Sequence, residues 1–298
     1  MNGIGLKSWW QAARPKTLPA AIAPVWAGCV LAWTLKGQFD GTLAAVTLLL
    51  ALFIQVATNF FNDVIDADKG ADTEARQGPQ RVTASGLISR KAVISGAVFM
   101  LILAAVCGLY LWTERGWVII AIGVPCLYLT YGYTGGPFPL AYRGWGEVFV
   151  ILFFGLVAVG GTVFIQLGYW PREAVILGLQ VGMLSAVLIA VNNYRDVNED
   201  RAANKRTIVV RFGRPFTHRL ILMMTVLPYV LIAFMGGELE RSWQKMAIVP
   251  LVIFTLVIFR AMRRAQLQGQ VESKVLGIAA LHLIVFVTVQ TLALMLTK

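Results

Sequence analysis

Residues 43–81 read LAAVTLLLALFIQVATNFFNDVIDADKGADTEARQGPQR, an apolar run that passes directly into a polar stretch rich in acidic side chains. The apolar part has about the twenty residues that an α-helix needs to cross the hydrocarbon core of a membrane. Five acidic residues follow within twelve positions, namely Asp63, Asp66, Asp68, Asp72 and Glu74. Acidic side chains are costly near hydrocarbon and contribute little to membrane topology, so we expect these to serve a function.

A second acidic stretch repeats part of this pattern. Residues 192–197, NNYRDV, also follow an apolar run, and Asp200 lies three residues beyond them. Both stretches contain the pattern N-x-x-x-D-V, once from Asn59 and once from Asn192. Together the two stretches hold more than half of the chain's 15 acidic residues, so they are the first candidates for a functional site.

The composition is that of a membrane protein. Of the 298 residues, 58% are hydrophobic and only 14% are charged, and the mean hydropathy is +0.71. A soluble domain carries about 25% charged residues. The net charge of +11 fits an excess of basic residues on one side of a membrane better than a nucleic-acid-binding surface, because no aromatic-basic recognition module is visible.

Runs of about twenty apolar residues predict an all-α polytopic membrane protein with nine transmembrane helices in a bundle. The predicted spans are 18–35, 43–62, 92–112, 117–133, 145–168, 174–194, 220–235, 246–262 and 275–296. The fourth and the seventh are the shortest. No boundary or long linker interrupts the sequence, so residues 1–298 are expected to form one domain.

The basic residues predict the orientation of these spans. Most of the 26 Lys and Arg residues fall on the side that holds the N-terminus and both acidic stretches. The positive-inside rule assigns that side to the cytoplasm and the C-terminus to the outside, and nine spans satisfy this parity. We therefore expect a multi-pass protein of the cell inner membrane, in contact with lipid.

The acidic residues are spaced for a shared cation. Asp63 and Asp66 are three residues apart, and Asp196 and Asp200 are four apart, so each pair would share one face of a helix end. Crowded carboxylates repel one another unless a cation lies among them. Oxygen ligands without nearby His or Cys suit Mg²⁺ or Ca²⁺.

Basic side chains accompany the acids. They are Arg76, Arg81, Arg195, Lys205 and Arg206. Acids, Mg²⁺ and basic groups together are typical of a site for a phosphorylated substrate, because the metal bridges the acids to phosphate oxygens and Lys or Arg neutralises the remaining charge. In a membrane protein such a substrate would have an apolar tail and a phosphate head.

Residues 128–147, YLTYGYTGGPFPLAYRGWGE, form an aromatic stretch with two interpretations. One is an aromatic belt at the membrane interface followed by a turn. The other is an aromatic-walled pocket that faces a cationic or aromatic reactant. Glu147 is expected to pair with Arg143, and His282, alone in the last span, is expected to be a core histidine.

The motif Asn62-Asp63-Val64-Ile65-Asp66 resembles the N-D-x-x-D motif of the UbiA superfamily of intramembrane prenyltransferases, and Asp196-x-x-x-Asp200 resembles their second motif. Extended through Gly70 and Asp72, the first motif is similar to that of the 1,4-dihydroxy-2-naphthoate prenyltransferases of menaquinone biosynthesis. Three further stretches point the same way; they are 13–18, 136–144 and 192–213.

The resemblance implies a bundle around a central cavity, with Mg²⁺ held through both Asp motifs by way of a polyprenyl diphosphate. The implied reaction replaces the carboxyl group of dihydroxynaphthoate with the prenyl chain and releases CO₂ and diphosphate. The implied metal site comprises Asn62, Asp63, Asp66, Asp72, Asp196 and Asp200. The implied diphosphate site comprises Arg76, Arg81, Arg143, Arg195 and Lys205. Asn59, Asn192 and Tyr131 are the candidates for orienting or stabilising the reacting groups.

One departure from the family pattern concerns the fourth span. Many relatives that act on 4-hydroxybenzoate carry a Lys after its Tyr, whereas here Gly132 follows Tyr131. Arg143 or Lys205 is then the expected substitute.

Three other functions remain open. They are a divalent-cation transporter, an alcohol phosphotransferase and a sibling prenyltransferase that uses 4-hydroxybenzoate or homogentisate. Transport would place acids near the middle of the membrane, whereas these lie at helix ends.

Overall fold

The computed structural model describes residues 5–37, 39–70, 81–235, 237–268 and 274–295, without the side chains of 237–245, 266 and 268. All regular secondary structure in these ranges is helical. The helices are α1 Leu6–Ala13, α2 Pro19–Lys36, α3 Gly41–Asp68, α4 Arg90–Arg115, α5 Trp117–Gly132, α6 Gly146–Leu167, α7 Arg172–Arg195, α8 Val197–Ala202, α9 Ile208–Val230, α10 Gly237–Gln268 and α11 Lys274–Met295. Short 3₁₀ turns lie at Pro15–Thr17, Ala141–Arg143 and Leu231–Phe234.

Long apolar helices confirm the prediction of an all-α polytopic membrane protein. Within the described ranges, eight helices are long and apolar enough to cross a membrane. The further apolar helix α5 has only 16 residues, as the short fourth predicted span anticipates. Each of the nine predicted spans therefore corresponds to an apolar helix, and the crossing of α5 stays a prediction.

The seventh predicted span was too short. It was expected over 220–235, but α9 already begins at Ile208. The sequence pattern failed here because Arg211 and Arg219 interrupt the apolar run; both lie exposed, one on each side of a kink at Gly213. Gly213, with φ 80° and ψ 170°, breaks the helical geometry once, immediately before the second part of α9.

Local sequence signals set the ends of α3 and α4. The Asp40 side chain accepts a hydrogen bond from Leu43 N at 2.9 Å and thereby caps the start of α3. The helix ends at Asp68, and Gly70 adopts the left-handed φ of 67° that a chain reversal after a helix commonly needs. Ser89 caps α4 by accepting from Ala92 N at 3.3 Å.

The centre of the bundle is α7, the most buried of the apolar spans. It packs against α2, α6, α9 and α11. Its contact with α6 is made by glycines: a Cβ atom on Gly155 would lie 2.2 Å from Gly178 O and 2.9 Å from Gly182 Cα. Small residues let helices approach closely in lipid, where no hydrophobic force drives them together. The middle of α6, Ile151–Gly160, is wound as a π-helix.

His282 is a satisfied core residue, as expected. Its Nε2 atom lies 2.7 Å from the Tyr229 hydroxyl, and its ring stacks on Phe254 with centroids 4.6 Å apart. This polar pair joins α9 to α11 at depth in the bundle and takes no part in the acidic site.

Candidate active site

The final turns of α3 carry the first acidic motif. Its four described members are Asn59, Asn62, Asp63 and Asp66. Asp63 is buried and accepts a hydrogen bond from Thr83 N at 2.8 Å. Asp66 is also buried and accepts from the Tyr142 hydroxyl at 2.9 Å. Each carboxylate is thus held in place by a neighbouring connection, and neither faces lipid.

The second motif lies where α7 gives way to α8. Asp196 is the residue between the two helices, and Asp200 is buried within α8. Arg195 donates two hydrogen bonds to Asp196, at 2.6 and 2.9 Å. The Thr207 hydroxyl donates to Asp200 at 3.4 Å. The two acids therefore have different partners, although they are only one turn apart.

Lys205 joins the two motifs. Its Nζ atom lies 3.9 Å from Asp66 Oδ1 and 3.6 Å from Asp200 Oδ1. The loop is held in this position because Lys205 N donates to Asp200 O at 2.8 Å. Arg81 approaches the same Asp66 from another side, with Nη2 at 3.7 Å from Oδ2. The predicted convergence of the two acidic stretches is therefore present, with basic side chains among the carboxylates.

The electrostatic environment of Asp200 favours the neutral acid. Burial raises the pKa of this carboxyl to about 6, and the charges of Asp196 and Asp66 act in the same direction, while Lys205 opposes them. Burial is thus the main obstacle to ionisation of Asp200, and the neighbouring acids add to it. An added cation would favour the ionised carboxylate.

Tyr142 lies at the centre of a group of cations. Its ring centroid is 3.8 Å from Lys69 Nζ and 5.4 Å from Lys205 Nζ. Lys69 Nζ also donates to Thr134 O at 2.9 Å. Burial lowers the pKa of Lys69, with Asp66 opposing and Lys205 reinforcing this shift. Sequence reasoning did not single out Lys69 or Tyr142 because only the packing of α3 against the 133–145 connection brings them together.

An apolar cavity of about 540 Å³ begins one helical turn from the acids. Asn59 and Asn62 of α3 and Asn192 of α7 line it. Asn59 Nδ2 donates to Ala13 O at 2.9 Å and to Thr17 Oγ1 at 3.0 Å, and Asn62 accepts from the Thr134 hydroxyl.

The rest of the cavity wall is apolar in effect. Its hydroxyl groups at Thr47, Thr58, Thr130, Thr162 and Ser185 all donate to carbonyls of their own helices. Most other lining side chains are aliphatic or aromatic. The cavity can therefore hold a hydrocarbon chain whose polar end reaches the two acidic motifs.

The aromatic stretch contributes to both of its predicted roles. Tyr128, Phe138 and Trp145 are exposed, as expected of a belt at the membrane interface. Tyr133 lines the cavity and is half-buried. Tyr131, by contrast, is 43% exposed and packs edge-on against Phe61 outside the cavity wall, so its role stays a prediction.

Tyr133 is the tyrosine that sequence reasoning missed. The two tyrosines stand two residues apart at the end of α5, and no signal in the sequence shows which of them faces inward. Its ring faces the cavity, and Glu147, Asp66 and Asp200 are the acids whose charges act on it.

The predicted pairing of Glu147 with Arg143 was wrong. Glu147 is buried and accepts a hydrogen bond from Asn193 Nδ2 at 3.0 Å. Arg143 is exposed, with its guanidinium 3.8 Å from the Phe138 ring centroid and 3.5 Å from Pro137 O. The tight turn at Gly144, with φ 74°, turns the two side chains apart. The role of Arg143 in diphosphate binding stays a prediction.

Two predicted site residues, Asp72 and Arg76, lie outside the described residues. Among those that are described, no group of three or more His, Cys, Asp and Glu side chains could hold a metal ion. Mg²⁺ typically takes one or two carboxylates from the protein and completes its shell with water and substrate phosphates. The oxygen-only donors of Asp63, Asp66 and Asp200 suit that ion.

A model of the UbiA prenyltransferase family matches residues 21–285 of this sequence. This chain belongs to the UbiA prenyltransferase family. The resemblance inferred from the two acidic motifs is thereby confirmed, and the chain is a prenyltransferase of that family with a multi-pass membrane fold.

Several relatives share one description. The 1,4-dihydroxy-2-naphthoate octaprenyltransferase of Mycobacterium tuberculosis is 37% identical, over 75% of this chain and 77% of its own length. The Haemophilus influenzae protein of the same description is 34% identical, over 76% and 77% of the two chains. That of Escherichia coli is 30% identical, over 83% of each.

Solved structures of the family share the fold. A UbiA homologue from Archaeoglobus fulgidus bound to DMAPP and Mg²⁺ superposes with a TM-score of 0.69, covering 97% of this chain and 99% of that one. The same homologue bound to GPP and Mg²⁺ gives a TM-score of 0.70. Both are 14% identical to this chain, so the likeness concerns the fold.

Proposed function

We propose that this protein transfers a polyprenyl chain from an all-trans polyprenyl diphosphate to 1,4-dihydroxy-2-naphthoate, in a Mg²⁺-dependent reaction of menaquinone biosynthesis. The product would be demethylmenaquinol, with CO₂ and diphosphate released. The observation that carries the proposal is the contact of Lys205 with both Asp66 and Asp200 beside an apolar cavity. Relatives described as dihydroxynaphthoate octaprenyltransferases support the choice of acceptor.

The acidic site suits the diphosphate head. Asp63 and Asp66 from α3 and Asp196 and Asp200 from the α7–α8 junction supply oxygen ligands through which Mg²⁺ would be held against the phosphates. Bound Mg²⁺ would supply Lewis-acid stabilisation of the leaving group. The structures of a family member with DMAPP or GPP and Mg²⁺ support this assignment.

Basic side chains would stabilise the charge that develops on the leaving diphosphate. Lys205 and Arg81 already lie among the carboxylates, within 4 Å of Asp66. Charge-assisted hydrogen bonds from such groups are strongest where water is excluded. As the allylic C–O bond breaks, its electron pair leaves with the diphosphate and the positive charge stays on the prenyl carbon.

The cavity would protect and stabilise that cation. Tyr133 presents an aromatic ring near the acidic site, and aromatic faces attract cations. Asn59 and Asn192, which also line the cavity, would orient the reacting groups. The apolar wall excludes water that would otherwise capture the cation.

The acceptor would then complete the reaction. The ring carbon that bears the carboxylate attacks the prenyl cation, and a new C–C bond forms. The bond to the carboxylate breaks, CO₂ leaves, and the electron pair of that bond restores aromaticity to the ring. No external oxidant or reductant is needed.

We further propose that residues 1–298 form a single domain in the cell inner membrane, with the acidic site and N-terminus facing the cytoplasm. The excess of basic residues on that side supports this orientation. Attaching a reporter enzyme after α11 would test it, since a C-terminus outside the cell is expected.

The reaction can be tested directly with purified protein in detergent. The protein, Mg²⁺ and a long all-trans polyprenyl diphosphate would be incubated with either 1,4-dihydroxy-2-naphthoate or 4-hydroxybenzoate, and products identified by mass spectrometry. Asp63→Ala and Asp196→Ala should abolish product. Asp68→Ala is the matched control, because that acid is exposed and pairs with Arg90 on the surface.

The outcomes separate the alternatives. A prenylated and decarboxylated naphthalenediol, lost in both site variants and kept in the control, would support donor, acceptor and site together. Product from 4-hydroxybenzoate alone would reject the proposed acceptor and leave the family site intact. Absence of any product from folded protein would reject both acceptors and direct attention to homogentisate and then to cation transport.

A further inference from the structure

Lys69 holds its positive charge in an unusual setting. Its ammonium group contacts a carbonyl oxygen, Thr134 O, and an aromatic ring, that of Tyr142. Neither contact neutralises the charge. Within the described part of the chain, no carboxylate oxygen lies within 4.0 Å of Lys69 Nζ, whereas Lys205 and Arg81 each approach Asp66. An ammonium group with this surrounding still has a free donor direction, and among the described residues it makes no ion pair, although the charge of Asp66 acts on it from beyond 4.0 Å.

Tyr142 places this ammonium beside a second one. The ring centroid lies 3.8 Å from Lys69 Nζ and 5.4 Å from Lys205 Nζ, while the hydroxyl of the same residue donates to Asp66. One side chain thus contacts two cations and one carboxylate. The attraction of ammonium groups to the ring offsets part of their mutual repulsion, so both can stay close to one point without a bound anion.

The position of Tyr142 is itself fixed by the backbone on both sides. Ala141 N donates to Tyr133 O at 2.8 Å, and Arg206 N donates to Tyr142 O at 3.0 Å. The second of these bonds ties the 3₁₀ turn Ala141–Arg143 to the loop that carries Lys205. The ring therefore sits between the end of α3 and the loop before α9, where both lysines converge.

We propose that Lys69 is a diphosphate-binding residue and that Tyr142 is a positioning residue that holds Lys69 and Lys205 as paired ammonium donors. This inference rests on the proposed function, since its ligand is the same diphosphate head. Among the described residues, no carboxylate forms an ion pair with Lys69, whereas Arg81 and Lys205 each approach Asp66. An arriving diphosphate can therefore bind Lys69 without first breaking an ion pair.

The test measures binding of inorganic diphosphate with Mg²⁺ by isothermal titration calorimetry on the full chain in detergent. Lys69→Met should weaken binding by roughly tenfold or more, the loss typical of one charge-assisted hydrogen bond. Lys91→Met is the matched control, because this lysine is exposed at the start of α4 and away from the site. The melting temperature without ligand would be recorded for each variant, and only a small fall is expected for Lys69→Met, from loss of the hydrogen bond to Thr134 O.

Two variants of Tyr142 separate its ring from its hydroxyl. Tyr142→Leu removes the ring and should weaken diphosphate binding about as much as Lys69→Met does. Tyr142→Phe keeps the ring and removes the hydroxyl that donates to Asp66, so diphosphate affinity should fall less than in Tyr142→Leu.

Each result decides one part of the inference. Wild-type binding together with unchanged affinity in Lys69→Met would overturn the role of Lys69 and leave the proposed function standing. Unchanged affinity in Tyr142→Leu would overturn the positioning role. Absence of diphosphate binding by the wild-type protein would overturn both this inference and the proposed diphosphate site.

Discussion

Replacing Gly155 with Ala should destabilise the contact between α6 and α7. The added Cβ atom would lie 2.2 Å from Gly178 O and 2.9 Å from Gly182 Cα, and both neighbours belong to the backbone. A side chain could turn aside, but a helix backbone cannot. Relief therefore requires the two helices to separate by roughly 1 Å to reach ordinary contact distances.

The expected loss is larger than the gain from a better helix former. Overpacking of a closely packed contact costs about 1–3 kcal/mol and occasionally more. Replacing Gly with Ala inside a helix returns at most about 1 kcal/mol. With a net loss of about 2 kcal/mol, the midpoint of thermal unfolding should fall by roughly 4–8 °C, on the scale of soluble proteins of somewhat smaller size.

The measurement is thermal unfolding in detergent at a fixed heating rate, because such unfolding is often irreversible. Gly161→Ala is the matched control, since it lies on the same helix and no atom lies within 4 Å of its added Cβ. This control should match the wild type or exceed it. Equal midpoints for Gly155→Ala and Gly161→Ala would refute the conclusion that α6 and α7 touch through their backbones.

Three further outcomes follow from the contacts described. Glu147→Ala should lower stability by about 1–3 kcal/mol, because it leaves the half-buried amide of Asn193 without its acceptor. Glu147→Gln keeps an acceptor oxygen and should stay close to wild type in the same melting assay. Tyr229→Phe should cost about 1 kcal/mol through loss of the hydrogen bond to His282, and an unchanged melting temperature would argue against that bond. Removing Mg²⁺ with a chelator should abolish prenyl transfer and added Mg²⁺ should restore it, as product formation by mass spectrometry would show; activity that persists in the chelator would contradict a metal-dependent mechanism.

The hydrophobic pattern predicted most of the fold, because a membrane requires its spanning helices to be long and apolar. A spanning helix must be about twenty residues long and apolar, so a short stretch of sequence is enough to recognise it. Where the chain leaves hydrocarbon this constraint ends. The start of α9 at Ile208 was missed for that reason, since exposed arginines are compatible with either a helix or a loop there.

The sequence alone identified the acidic residues of the site, but it did not show which side chains contact them. Asp66 and Asp200 were found because clustered acids beside hydrocarbon are rare enough to stand out. Their contact through Lys205 depends on how α3, α7 and the following loop pack, which no local pattern encodes. For the same reason the sequence does not show which of Tyr131 and Tyr133 lines the cavity, since a residue near a helix end can face either way.

The apolar wall of the cavity has a consequence for how affinity must be distributed over the proposed donor. A prenyl chain dissolved in the bilayer already has hydrocarbon around it, so moving into a cavity lined by aliphatic side chains changes its solvation little. If the reference state is the donor dissolved in the bilayer, its affinity for the protein should come almost wholly from the head group and should vary weakly with chain length. If the reference state is the donor in water, the affinity should rise steeply with chain length, by about 0.8 kcal/mol per buried CH₂. On the proposed function, the protein would select the diphosphate head and the membrane would concentrate the tail.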